Sequence, residues 1–276
     1  MNAVACERAA PVVGGWQAVL DLDYRWRAAR SVLQHQHRGP LQVQRPFYPE
    51  GETVCHTYVL HPPAGVVGGD LLSINARIEP HAHALLTTPS ATRFYRSAGP
   101  LACLQQHLRA AAHATVEWLP QENILFDGAR AQIETAVELA AGARFYGWEI
   151  ACLGRPANGE TFTHGRADLR LAVNREGRPV LRERLLLGPD EAATLRGHAA
   201  TGTLLVTGAD AGALALARTL PNTDGLVGSS LLGDLLVCRM LAPEAGPIRA
   251  HFEQLWHTLR PLLLGRPGCA PRIWAT

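Results

Sequence analysis

The chain contains no lysine. All 26 basic side chains among its 276 residues are arginine, set against 24 Asp and Glu for a formal charge of +2. A Walker-type phosphate loop needs a lysine to reach the bound phosphates, so this chain cannot form one. A lysine Schiff base is excluded too, and with it pyridoxal-phosphate and class I aldolase chemistry. Nucleotide hydrolysis linked to this protein is therefore not expected to be its own by the usual P-loop route. The abundance of Ala, Gly, Arg and Pro assigns the missing lysines to a GC-rich coding bias rather than to function.

Other absences narrow the field further. A charge balance near zero lacks the basic stripe of a nucleic-acid binder, so no nucleic-acid partner is expected. No stretch reaches 18 uninterrupted apolar residues, so no membrane-spanning helix is expected. Met1 to Val13 has no basic start followed by an apolar core, which does not read as a signal peptide, and a cytoplasmic location is expected. The six cysteines, at positions 6, 55, 103, 152, 238 and 269, form no C-x-x-C pair. Scattered this way they read as reduced core residues, and no structural zinc site of the usual spacing is present. A G-x-S-x-G elbow, an H-E-x-x-H helix and a recognisable triad are all missing, so no enzyme is expected.

Strand signals fill the first two thirds. Gln132 to Leu139 alternates, with Ile133, Thr135, Val137 and Leu139 on one face. Arg166 to Val173 alternates again, and Pro179 to Leu187 returns after a turn through Asn174 to Gly177, which predicts a hairpin. Thr53 to Leu60, Ala84 to Thr88, Thr115 to Leu119 and Arg144 to Leu153 also read as strands. Many short strands between turn signals predict a mainly β, antiparallel architecture. Two helices are predicted late, at Ala211 to Leu220 and at Pro247 to Arg260, where Ile248, Phe252, Leu255, Trp256 and Leu259 share one face and Pro261 ends or kinks the run. Residues 1–12 are predicted to be loose.

Candidate chemistry concentrates between Gly39 and Asp70. Gly65-x-x-Gly68-Gly69 does not match a dinucleotide loop and reads better as a turn, with Asp70 as its cap or as a functional carboxylate. Cys55, His56 and His61 carry donors that suit nickel, copper or zinc. Adjacent positions in a strand point to opposite faces, however, so Cys55 and His56 do not readily chelate one ion. His81-x-His83 puts two imidazoles on one face of a strand, although Pro80 before it signals a turn and favours an exposed, non-binding pair. Two glutamates stand out by periodicity. Glu149 lies in Arg144 to Cys152, a strand apolar on both faces, and Glu183 shares a face with Leu181 and Leu185 while Arg182 and Arg184 take the other. A carboxylate on an apolar face is costly unless it is paired with arginine or faces a wet cavity. Glu122, in the corner Trp118 to Asn123, is a weaker case of the same kind.

Taken in order along the chain, these motifs resemble the urease accessory protein UreD (UreH) family. The matching segments are Gly39-Pro40-Leu41, Gln44 to Gly51, Cys55-His56, His61 to Asp70 and Thr88 to Ser97. They continue through Glu117 to Glu122, Gly147-Trp148-Glu149, Cys152 to Pro156, Glu183-Arg184, Leu259-Arg260-Pro261 and Pro271 to Thr276. Ala64 stands where the family usually has Gly, and Arg93 where it usually has Lys. The resemblance implies one β-rich domain over residues 13–276, with strands in stacked or superhelical sheets and about two helices toward the C-terminus. It implies a nickel-insertion chaperone with no tightly bound cofactor and no nucleotide of its own. Such a protein binds UreF directly, recruits the GTPase UreG through it, docks on apo-urease, and can sit in a dimer of heterocomplexes.

On that basis Asp70, Glu149, Glu183 and Glu122 are candidates to line an internal nickel passage. Phe252, Trp256 and Trp274 are candidates for a partner interface, with their own core as the competing use. The competing function is a β-barrel metal-dependent enzyme using His81 and His83.

Overall fold

The computed structural model describes residues 15–189, 194–221 and 224–275; the predicted loose segment at 1–12 lies outside them. Eighteen strands occur in chain order among the described residues. The first nine are β1 (Gln17–Arg27), β2 (Arg30–Arg38), β3 (Gln42–Val43), β4 (Val54–Leu60), β5 (Gly65–Val66), β6 (Leu71–Ile78), β7 (His83–Thr87), β8 (Thr92–Phe94) and β9 (Ala102–Ala110). The rest are β10 (Thr115–Trp118), β11 (Asn123–Leu125), β12 (Arg130–Leu139), β13 (Arg144–Leu153), β14 (Arg166–Arg175), β15 (Arg178–Leu187), β16 (Ala200–Thr207), β17 (Leu226–Leu232) and β18 (Leu235–Ala242). Helix α1 (Ala211–Thr219) precedes β17, and α2 (Ala245–Leu264) follows β18.

The mainly β class with two late helices agrees with the sequence. The expected antiparallel pairing does not hold through the centre. In the first sheet β1, β6, β9, β12 and β14 are all parallel, with β2 and β15 antiparallel at its two ends. In the second, β4, β7, β10 and β13 are parallel, followed by antiparallel β16, β18 and β17. A third row, β5, β8 and β11, stacks in parallel and joins the far half of β13. The chain therefore coils as a β-solenoid, passing from first sheet to second sheet to third row and back. Parallel neighbours need a long crossover. Here each crossover is itself made of strands on the other faces, so local alternation could not reveal it.

Two apolar layers hold the coils. One fills the solenoid, with Leu22, Ala76, Leu108, Val137, Val173 and Leu181 in register across the first sheet. The other lies between the outer face of the second sheet and the helices, and includes Trp148, Phe252, Trp256 and Leu259. Asp210 caps α1 by accepting from the Ala213 amide at 2.8 Å. Helix α2 begins two residues before Pro247 and runs on through Pro261 to Leu264. Pro261 does not end it, because a proline in the last turn deletes only one terminal hydrogen bond. Gly265, at φ 66°, closes the helix instead, donating its amide to the Pro261 carbonyl.

Candidate functional site

One rung of the solenoid interior turns polar. Across the first sheet the register runs Leu20, Ile74, Gln106, Thr135, Leu171, Glu183. From the second sheet β13 contributes Glu149, opposite Thr203 of β16, which is itself opposite Arg239 of β18. Glu149 Oε1 accepts three bonds: from Thr135 Oγ1 at 2.6 Å, from Trp118 Nε1 at 2.9 Å and from Gln106 Nε2 at 3.3 Å. Gln106 Nε2 also donates to Thr135 Oγ1 at 2.7 Å. Burial pushes the Glu149 carboxyl above its ordinary range, and the three donors oppose that only in part.

This cluster sits between two cavities. The larger, about 360 Å³, is walled by His61, Thr88 to Thr92, Gln106, Trp118, Gln121 and Asn123 among others. The smaller, about 50 Å³, is walled by Asn123, Thr135, Glu149, Arg170, Glu183 and Thr203 among others. Asn123 belongs to both walls. Gln106 and Trp118 reach Glu149 from the larger side, and Thr135 lies on the smaller. Either space has room for at least one water, so the Glu149 carboxyl lies between two cavities rather than in solid core. At the far side Glu183 accepts from Thr203 Oγ1 at 3.1 Å and from Arg239 Nε at 2.9 Å. Its arginine partner thus comes from β18, not from the neighbouring Arg182 or Arg184; Arg184 pairs with Asp168 on the outer face at 2.9 Å.

The remaining candidates separate. Asp70 is buried and accepts the amides of Trp16 at 2.8 Å and Val67 at 3.0 Å, so its carboxylate braces a loop and caps a turn. His61 lines the larger cavity, and both its ring nitrogens are buried without a hydrogen-bond partner. Burial pushes its pKa down against the attraction of Asp70. Glu122 lies outside both cavity walls; its charge, after burial, helps push the Cys152 thiol to about 11. Cys55 points into the solenoid, and its thiol is raised by burial. His56 points the other way and meets Glu50 Oε1 at 2.7 Å through Nε2.

His81 and His83 do not share a strand face. His81 is exposed in a turn at φ 67° and stacks on His113 at 5.7 Å, whereas His83 opens β7, is buried, and meets Glu117 Oε1 at 2.6 Å. The constellation behind the metalloenzyme alternative is therefore not formed. Among the described residues no group of three or more His, Cys, Asp and Glu is placed to hold a metal ion. Phe252 and Trp256 are fully buried against the second sheet, so in this fold they cover the protein's own core and offer no partner surface. Trp274 is half-buried; its Nε1 donates to Thr87 Oγ1 at 2.9 Å, and its ring packs on Trp148 and Trp256.

A second polar cluster went unread in the sequence. Arg260 of α2 is fully buried, with Nη1 on Glu50 Oε2 at 2.7 Å and Nη2 on Glu117 Oε1 at 2.9 Å. Trp256 Nε1 donates to Glu117 Oε2 at 2.7 Å. The signal was there: Glu117 sits among apolar strand residues as Glu149 does, and Arg260 continues the apolar helix stripe four residues after Trp256. This cluster docks α2 on the second sheet, on the side of that sheet away from the cavities.

The family model described as UreD urease accessory protein matches residues 17–275. A protein of Pseudomonas entomophila (strain L48) named Urease accessory protein UreD is 46% identical over 264 residues, covering 95% of each chain. Its namesake in Alkalilimnicola ehrlichii is 45% identical over 97% of this chain and 94% of its own. The one in Klebsiella aerogenes is 45% identical over 96% of this chain and 99% of its own. A match that runs from the first strand of the solenoid to the C-terminal tail, at this identity and coverage, means that the chain belongs to the UreD urease accessory protein family.

Proposed function

We propose that this chain serves urease maturation as a non-hydrolysing scaffold that offers nickel, as cargo, an internal route toward the urease active site. The observation that carries the reading is the Glu149 cluster between two cavities inside the solenoid. Nickel accepts carboxylate, imidazole and carbonyl oxygen, and a ligating carboxylate must be deprotonated. Burial raises the Glu149 pKa, and a divalent cation bound beside the carboxyl would favour its deprotonated, ligating form. The unpartnered His61 imidazole on the larger cavity and the Thr203-bound Glu183 on the smaller supply donors on either side. In this scheme the chain binds UreF directly, reaches the GTPase UreG through it, and sits on apo-urease in the cytoplasm, with GTP hydrolysed by UreG because this chain cannot form a phosphate loop.

The test is urease activation in cells co-expressing the urease subunits and the accessory set with Glu149→Leu, Glu183→Leu or both. The expected result is reduced nickel content and reduced urease activity, with capture of UreF unchanged. Normal activation by the double variant, with the complex assembled, would sink the passage.

A further inference from the structure

We propose that the corner where the third row of strands turns into the first sheet is a docking surface for a carboxylate-rich face of a partner protein. Three arginines from three successive coils stack there. Arg96 bridges Ala129 through its backbone and lays its side chain over Gly128; Arg130 follows, in register with Arg166 on β14. All three are exposed, and none has a carboxylate partner among the described residues. Like charges directly opposite on neighbouring strands are destabilising, so this placement costs the isolated chain stability.

The nearby acids are already engaged. Asp127 accepts the amides of Thr163 at 2.7 Å and His164 at 2.8 Å and meets His164 Nδ1 at 2.8 Å, and that ring holds its carboxyl well below the usual range. Glu160 takes the Asp127 amide and the Arg155 guanidinium. Asp70 is turned inward onto backbone amides.

Exposed apolar side chains flank the arginines. Trp16 is 52% exposed, Val67 47%, Leu101 37% and Tyr95 36%, which is four of the nine exposed large hydrophobics among the described residues. Backbone bonds tie them together: Leu71 to Trp16, Gly69 to Leu101, Tyr95 to Val66 and Ser97 to Gly128. The Tyr95 ring lies where a Cβ on Gly65 would be, so glycine there leaves room for the ring against the coil. Arginine, tryptophan and tyrosine around an apolar patch is the composition of protein interface anchors. A phosphate backbone would use the arginines but gain little from Trp16, Val67 and Leu101, and the +2 net charge supplies no wider basic field. A protein face carrying several carboxylates around an apolar centre satisfies both halves.

This choice of probes rests on the urease maturation reading. The purified chain, immobilised, is probed separately with UreF and, as its UreF complex, with apo-urease, at low and high salt. The charge-reversal variant R96E/R130E/R166E should weaken one of the two affinities at least about tenfold and flatten its salt dependence. The glutamine variant R96Q/R130Q/R166Q should fall between, and it supplies the readout if charge reversal lowers thermal stability. Unchanged affinity for both probes would overturn the proposal, as would loss of DNA-duplex retention with both protein affinities intact. If the wild-type chain captures neither probe, the maturation reading fails. The corner is then judged by retention of a poly-glutamate peptide, and equal retention by wild type and both variants would overturn it.

Discussion

Arg260 is the most demanding place to test the energetics of this fold. Its guanidinium is fully buried and holds Glu50 and Glu117 together, with the Trp256 ring 5.0 Å from its centre. Arg260→Met keeps much of the aliphatic volume and removes every donor. Glu117 then keeps only His83 and Trp256, and Glu50 keeps His56. Breaking one side of a buried ion pair costs about 3–5 kcal/mol because it strands the opposite charge. For a chain of this size that is a fall in Tm of about 10 °C.

The pH dependence gives a second handle. Burial alone would raise the Glu117 carboxyl; the hydrogen bond and charge of His83 and the charge of Arg260 reverse this and hold it at about 2. A depressed carboxyl contributes stability that is complete above its unfolded value near 4.5 and is lost as pH falls toward 2. The variant's deficit should therefore be largest at neutral pH and narrow on acidification below about 4.5. Thermal unfolding followed by circular dichroism across that range reads both effects. E117Q/R260M should be more stable than R260M alone, since it removes the stranded charge. A Tm within about 2 °C of wild type at pH 7, or a deficit that does not change with pH, would refute this account of how α2 is held.

Two further outcomes follow from the same geometry. Glu149→Gln keeps an acceptor for Trp118, Thr135 and Gln106 but cannot ionise; because burial raises the native carboxyl, wild type loses stability as pH rises through that raised value, so the variant should gain on wild type from pH 4 to pH 8 in paired urea melts, and the opposite trend would contradict a buried, raised acid. Trp274→Ala removes a half-buried ring from Trp148 and Trp256 and breaks its bond to Thr87, which should cost about 2 kcal/mol in urea unfolding, and a loss under about 0.5 kcal/mol would show that the tail is not anchored there.

Much of the local structure was legible. The span of β13 matches the predicted Arg144 to Leu153, and the hairpin of β14 and β15 follows the predicted turn, with Glu176 and Gly177 both at positive φ. Opposite-face logic correctly separated Cys55 from His56 and placed Glu183 inward with Leu181 and away from Arg184. Glu149 was legible as an acid in an apolar strand because its period marked it. Its donors were not, since Gln106, Trp118 and Thr135 lie on three other strands and nothing in their own segments points to a common partner. The turn that Pro80 signals is present and leaves His81 exposed, whereas the one-face placement of His81 and His83 is not formed, because the strand begins at His83 after a left-handed turn residue.

The sequence by itself determined the strand periods, the two late helices, the family, and the exclusion of a phosphate loop, because each depends on residue type and short-range spacing. Only the tertiary structure decided that the central strands run parallel, that Arg239 rather than Arg182 or Arg184 meets Glu183, and that Arg260 locks α2 to Glu117. It alone brought Arg96, Arg130 and Arg166 to one corner. These are contacts across many residues of chain, set by the stacking of one coil on the next, and strand alternation carries no record of which neighbour a strand will meet. The missing lysine belongs to both: composition removes the phosphate loop, and the fold shows where arginine is put to use, buried beside Glu117 and, in the stacked corner, without a carboxylate partner among the described residues.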